Sequence, residues 1–256
     1  MSSAGNVLLK PDCGCPGPHT VGAIDAPEVV EAGAPLEASV SFGYGNTKAG
    51  HNVAWTWGDG SGVQQGNARE GKGVGKAAAS HRYTAPGIYT VSVKVGDRSG
   101  EGPTVSRTVV VTDKSAGDVG GSGWFTSSLG AKRTSAGQRE RAVFGFYVPG
   151  ASGAQPTAAR ASLRFNVGSL GFRSEGMRPV AAQGARRQFE GRGTLNGVGA
   201  YSFRLSTTAV QGQPGRFGLK IWHVDPVTRA QVVDYDNLGA GTGSAVPAAQ
   251  GKIVLQ

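Results

Sequence analysis

Apolar residues in this chain recur at every second position in short runs, and Gly, Pro, Asn and Asp fill the gaps. The clearest run is 87–96, where Tyr89, Val91, Val93 and Val95 alternate with Ile88, Thr90, Ser92 and Lys94. A period of two with one apolar face predicts a half-buried strand. Further β-rich segments lie near 27–31, 35–43, 51–57, 77–84 and 104–112. Short strands separated by turn signals predict a sandwich. A second β-rich block follows, with strands expected over 142–148, 160–167, 186–195, 200–206, 216–224 and 231–235. Within it, Leu195-Asn196-Gly197-Val198 carries a hairpin signal, since Asn-Gly suits a type I′ turn. No segment reads as an amphipathic helix. Residues 1–24 are rich in Gly and Pro and read as a flexible tail, and 114–122 reads as a short linker. The expected organisation is therefore a tail (1–24), a sandwich (25–113), a linker (114–122) and a second all-β domain (123–256).

Composition narrows this. Gly accounts for 43 of 256 residues without a triplet period, which excludes collagen. Charged residues are only 17%, which argues against a long charged helix or coiled coil. No window approaches the ~20 unbroken apolar residues of a spanning helix. The net charge of +9 is uneven: residues 1–113 carry a net of −1 and residues 114–256 a net of +10. Such a field attracts anionic polymers. Most of the basic residues are single arginines dispersed along strands, and Arg186-Arg187 with Arg192 is the one tight group. That pattern differs from the dense basic arms that bind nucleic acid.

Two linked motifs carry a resemblance. Trp55-Thr56-Trp57-Gly58-Asp59-Gly60-Ser61 is followed by His81-Arg82-Tyr83 and then Pro86-Gly87-Ile88-Tyr89-Thr90-Val91. This series resembles the PKD (polycystic kidney disease) domain over about 25–113. The resemblance implies a seven-stranded immunoglobulin-like sandwich, with Trp55, Trp57, Asp59, His81, Tyr83 and Tyr89 as its structural motif. Trp55 is expected to plug the core. Gly58-Asp59-Gly60 is expected to form a tight turn whose carboxylate accepts turn amides. The second block is similar to a C-terminal all-β module that follows PKD or HYR (hyalin) repeats in bacterial secreted proteins. The similarity rests on Gly123-Trp124, Phe144-Gly145-Phe146, 189–197, Tyr201-Ser202-Phe203, Ile221-Trp222 and Tyr235-Asp236-Asn237. It implies an extracellular or cell-surface setting and supplies no catalytic residues. No secretory signal is visible at the start, where Val7-Leu8-Leu9 is too short for an h-region.

Candidate chemistry is sparse. Cys13 and Cys15 with His19 offer three soft ligands, one fewer than a closed zinc site uses. Asp234 and Asp236 would share a strand face by alternation, where a calcium ion could bridge them; a structural turn is the competing reading. Residues 66–73 nearly spell a phosphate loop but end in Gly73 where a Ser or Thr would hold magnesium. No nucleophile elbow is present, and His81 belongs to the PKD pattern. Trp124 and Trp222 are candidate platforms for sugar rings, and Arg186, Arg187 and Arg192 candidate anion contacts. A Trp in a small sandwich is more commonly a core or interface residue.

These observations predict a non-enzymatic interaction or spacer module pair, with a protein or polysaccharide as partner at the cell surface. Two alternatives stay open. One is a carbohydrate-binding accessory region of a larger secreted hydrolase. The other is a self-assembling subunit of a surface layer or filament, with free sheet edges pairing and Cys13 or Cys15 cross-linking.

Overall fold

The computed structural model describes residues 20–45, 50–97, 100–150, 161–209, 213–238 and 245–255. Cys13, Cys15 and His19 lie outside them. The described chain is nearly all β, in two curled sheets.

The first sheet uses β1 (Thr20–Val21), β2 (Val29–Glu31), β3 (Pro35–Gly43), β4 (Asn52–Thr56), β5 (Val63–Gly71), β6 (Val74–Arg82), β7 (Gly87–Asp97) and β8 (Gly100–Thr112). Their order is β1-β3-β6-β5-β4-β7-β8-β2. β5 folds the path over on itself: Ala68–Gly71 pair with β6, whereas Val63–Asn67 pair with β4. Two layers result, and the alternating strands send their apolar faces between them. Leu36, Val40 and Phe42 of β3 meet Val53 and Trp55 of β4, Val91, Val93 and Val95 of β7, and Val109 and Val111 of β8. β2 runs parallel to β8, and the other pairs are antiparallel.

The second sheet is a meander. Its strands are β9 (Val119–Thr126), β10 (Arg141–Val148), β11 (Ser162–Val167), β12 (Leu170–Gln183), β13 (Arg186–Leu195), β14 (Val198–Thr208), β15 (Arg216–Val224), β16 (Gln231–Asp236), β17 (Val246–Pro247) and β18 (Gln250–Val254). Each strand from β9 to β16 pairs with the next, β18 returns to the free edge of β9, and β17 pairs with β15. The sheet curls until Phe217 of β15 stacks on Phe144 of β10, with ring centres 4.1 Å apart. The expected hairpin is present: Asn196 and Gly197 take φ of 51° and 81° between β13 and β14.

Two boundaries differ from the sequence reading. Residues 20–24 join the first sheet through β1 and the buried Ile24, so they are not tail. Residues 119–122 open β9, and the connector before them is hydrogen-bonded. Asp118 is buried and accepts from the amides of Asp113 (2.7 Å) and Gly150 (2.9 Å), while Asp113 accepts from Ser115. The near-phosphate loop lies in the β5–β6 hairpin, where Lys72 and Gly73 have positive φ and no helix follows.

The two sheets touch. The outward positions of β7 and β8 lie against the outward positions of β9 and β10, where Val29, Ile88, Val110 and Tyr147 form a small buried cluster. Ser122 donates to the Glu28 carbonyl at 2.6 Å. The approach is close because β9 and β10 present glycine there. A Cβ on Gly145 would lie 2.6 Å from Thr108 Cγ2, and one on Gly120 would lie 2.9 Å from Val110 Cγ1.

Candidate functional site

The motif residues of the first sheet converge. Trp55 and Trp57 are fully buried and stack at 5.7 Å; Trp57 stacks on His81 at 4.8 Å; His81 meets the edge of Tyr83; Tyr83 stacks on Tyr89 at 4.2 Å. Asp59 closes this ladder. Its turn is set by Gly58 and Gly60, both with positive φ, and Gly58 sits where a Cβ would meet the Thr90 carbonyl at 2.7 Å. One carboxylate oxygen accepts from the Ser61 amide and hydroxyl, and the other from His81 Nε2 at 2.7 Å. Tyr83 donates to the Trp57 carbonyl at 2.8 Å, and burial pushes its phenol well up. The Asp59 carboxylate, His81 Nε2 and the Tyr83 hydroxyl are all engaged within the sandwich, so these groups hold a corner of the fold.

Burial alone would raise the Asp59 carboxyl, but the hydrogen bonds from Ser61 and His81 outweigh it and hold it at about 2, against an ordinary 3.8. A lowered value means that the charged form stabilises the fold. The contribution is complete above pH 3.8 and is lost as pH falls toward 2. Asp59→Asn is expected to flatten the stability profile across that window, measured by urea unfolding at stepped pH.

A second constellation lies between the sheets. A cleft of about 810 Å³ is lined from the first sheet by Glu28, Thr90, Ser106, Arg107 and Thr108, and from the second by Trp124, Arg141, Arg164, Asn166, Arg173 and Asn196. Its size falls in the usual range for ligand sites, roughly 300–1,000 Å³. Strand register explains the lining. Trp124, Val143, Asn166 and Gly171 are successive cross-strand partners over β9–β12, and Ser122, Gly145, Arg164 and Arg173 form the row two residues along. These outward rows continue past the contact with β8 and remain open to the cleft.

The cleft is strongly basic. Arg107 donates to Glu28 Oε1 at 2.8 Å and to the Ile24 carbonyl at 3.0 Å, yet its Nε is buried without a hydrogen-bond partner. Arg141 lies over the Trp124 ring at 4.3 Å, a cation–π contact. The Trp124 indole donates to Gln250 at 3.3 Å. Arg164 donates to Thr90 Oγ1 at 3.0 Å. Burial and the facing Arg173 both lower the Arg164 guanidinium below its ordinary value. Glu28 is the one carboxylate of the lining, and Arg107 already holds it. Among the described residues, Arg141, Arg164 and Arg173 have no acidic partner.

The other predicted site residues lie elsewhere. Trp222 is half-buried on β15, beside Ser202 and Val233. Arg192 pairs with Ser202 on the same row, whereas Arg186 and Arg187 sit five or six positions back along β13, roughly 17 Å away at strand rise. The tight group of the sequence is therefore spread along one strand. Arg186 donates to Ser206, and Arg187 to the Gly184 carbonyl. Asp234 and Asp236 take separate partners. β16 bulges between Val233 and Tyr235, which interrupts the alternation on which a shared cation site rested. Asp234 is buried and accepts from Arg133 at 3.0 Å and His223 Nδ1 at 2.6 Å, while Asp236 accepts from the Leu238 amide. Among the described residues no three His, Cys, Asp or Glu side chains are grouped to hold a metal ion.

Sequence reasoning found Trp124 and missed the arginines around it. Arg164 and Asn166 do alternate with Leu163, Phe165 and Val167, so their outward direction was readable. What they face was not, because Thr90 and Arg164 are 74 residues apart.

The PKD domain family model matches residues 18–112. This stretch is a PKD domain, an immunoglobulin-like module of a family that is typically extracellular and non-catalytic and mediates protein interactions. No curated protein matches the chain. No helix among the described residues is long and apolar enough to cross a membrane.

Proposed function

We propose that this chain is a non-catalytic recognition module of an extracellular or cell-surface protein, built from the PKD domain and a second all-β domain that share one ligand site. The observation that carries this reading is the cleft lined from both sheets. Its side chains are of the kinds that bind: an indole, guanidinium groups, amides and hydroxyls. No nucleophile, base and acid converge in it. Two Asp–His contacts, Asp59 with His81 and Asp234 with His223, stand outside the cleft, the first in the aromatic corner of the PKD domain and the second on β15 and β16.

A second reading, a carbohydrate-binding accessory region, is favoured by Trp124 within the cleft. The electron-rich face of an indole can stack on the C–H surface of a sugar ring, while neighbouring amides and hydroxyls bond the sugar's polar groups. Immobilised glycans and surface proteins, probed with the full chain, test both. The expected result is a ligand whose capture is lost in Trp124→Ala, kept in Trp222→Ala, and which is recovered chemically unchanged. Turnover of that ligand, abolished by a point mutation, would refute the non-catalytic reading.

A further inference from the structure

The cleft holds an electrostatic problem that the protein itself does not solve. Arg164 and Arg173 are direct cross-strand partners on β11 and β12. Like charges in that position repel and destabilise a sheet. Arg164 is half-buried against the first sheet, so solvent screens it poorly. Arg141 adds a third cation within the same cavity, and the buried Arg107 Nε adds an unused donor. Three uncompensated guanidinium groups around one cavity are what an anion with two or more acceptor oxygens would neutralise.

Resting on the reading of this cleft as the ligand site, we infer that it binds an anionic saccharide, a sugar carrying a carboxylate or sulfate set between Arg164 and Arg173. The neighbouring groups suit the rest of such a ligand. Asn166, Asn196, Ser106, Thr90 and Thr108 provide hydroxyl and amide partners for sugar hydroxyls. Arg141 lies over one face of the Trp124 ring, and both side chains line the cleft beside these groups. A peptide is the competing occupant. Peptides that lie along sheets pair with a free backbone edge; β9 and β10 have a strand on both sides, but β2 covers β8 only over Val110–Thr112, so polyglutamate serves as the control. The like-charge pair also makes a prediction about the empty protein: the residues that bind are held at a cost in stability.

Calorimetric titration of the full chain tests this with four probes: oligogalacturonate, a sulfated dextran oligosaccharide, a neutral malto-oligosaccharide and polyglutamate. The first, the second or both should bind, more weakly as salt rises, and which of them binds separates carboxylate from sulfate. Arg173→Gln should weaken that binding about tenfold or more. The same substitution should raise the melting temperature of the free chain by about 1–3 °C, through relief of the repulsion. Arg187→Gln should change neither. Equal binding of the neutral sugar, or equal binding of polyglutamate, overturns the inference while the cleft remains a recognition site. Binding of neither anionic sugar, or binding that is indifferent to Arg173→Gln, overturns it as well. Capture of no glycan or protein through Trp124 overturns the recognition reading itself.

Discussion

Phe217→Ala is expected to cost about 3–5 kcal/mol of folding stability, at the upper end for a core aromatic. The ring is fully buried. It packs among Phe125, Phe144, Phe146 and Phe165, with centres 5.9, 4.1, 6.4 and 6.1 Å away. These four rings come from β9, β10 and β11, on the other side of the curled sheet. Phe217 is therefore the contact by which β15 closes the meander on its own beginning. Its neighbours sit on strands fixed by their ladders, so the space left by truncation cannot collapse. Urea unfolding reads the loss directly. A change below about 1 kcal/mol would mean that the curl is held by other contacts.

Gly145→Leu is expected to uncouple the two sheets. The new side chain has no room toward Thr108, Ile88 and Val110, all within 4 Å of the Cβ position. β10 is fixed between β9 and β11, so the first sheet must move away. The buried cluster of Val29, Ile88, Val110 and Tyr147 then opens, and with it the Glu28–Ser122 hydrogen bond. Overpacking of this kind costs about 1–3 kcal/mol. The larger effect falls on binding, because the cleft takes its walls from both sheets: affinity should drop about tenfold or more, as a misplaced wall loses its contacts. Circular dichroism should keep its β signature, since neither core is touched. Unaltered affinity would show that the ligand uses one sheet alone.

The parts of the structure that were legible in the sequence are those with local signals. The aromatic ladder was readable because its residues fall in two short motifs. The strands of alternating Val and Thr, and the Asn-Gly hairpin, follow from period and turn chemistry. β5 was missed because its residues are polar on both faces; most stay exposed while the strand is held by backbone pairing to β4 and β6. β9 was read partly as a linker because it begins Val119-Gly120-Gly121-Ser122-Gly123, a composition that suits flexible loops. Here the glycines permit contact. A Cβ on Gly121 would meet the Lys252 carbonyl at 2.7 Å, and Gly120 faces the first sheet. The cleft was illegible for a further reason. It is made from the outward, polar positions of strands distant in sequence, and those positions carry no pattern until the register is known.

The four tryptophans give a direct reading of the central claim, that the ligand site lies between the sheets. In a ¹⁵N-labelled chain each indole gives one N–H signal. Trp55 and Trp57 lie inside the sandwich, Trp124 lines the cleft and Trp222 stands on β15. On titration with the captured ligand, the Trp124 indole should move, together with amides of 106–108 and 164–173 from both walls, while Trp222 stays in place. Shifts confined to Trp222 and the strand bearing Arg186, Arg187 and Arg192 would place the ligand on the outer face of the second sheet and contradict the account.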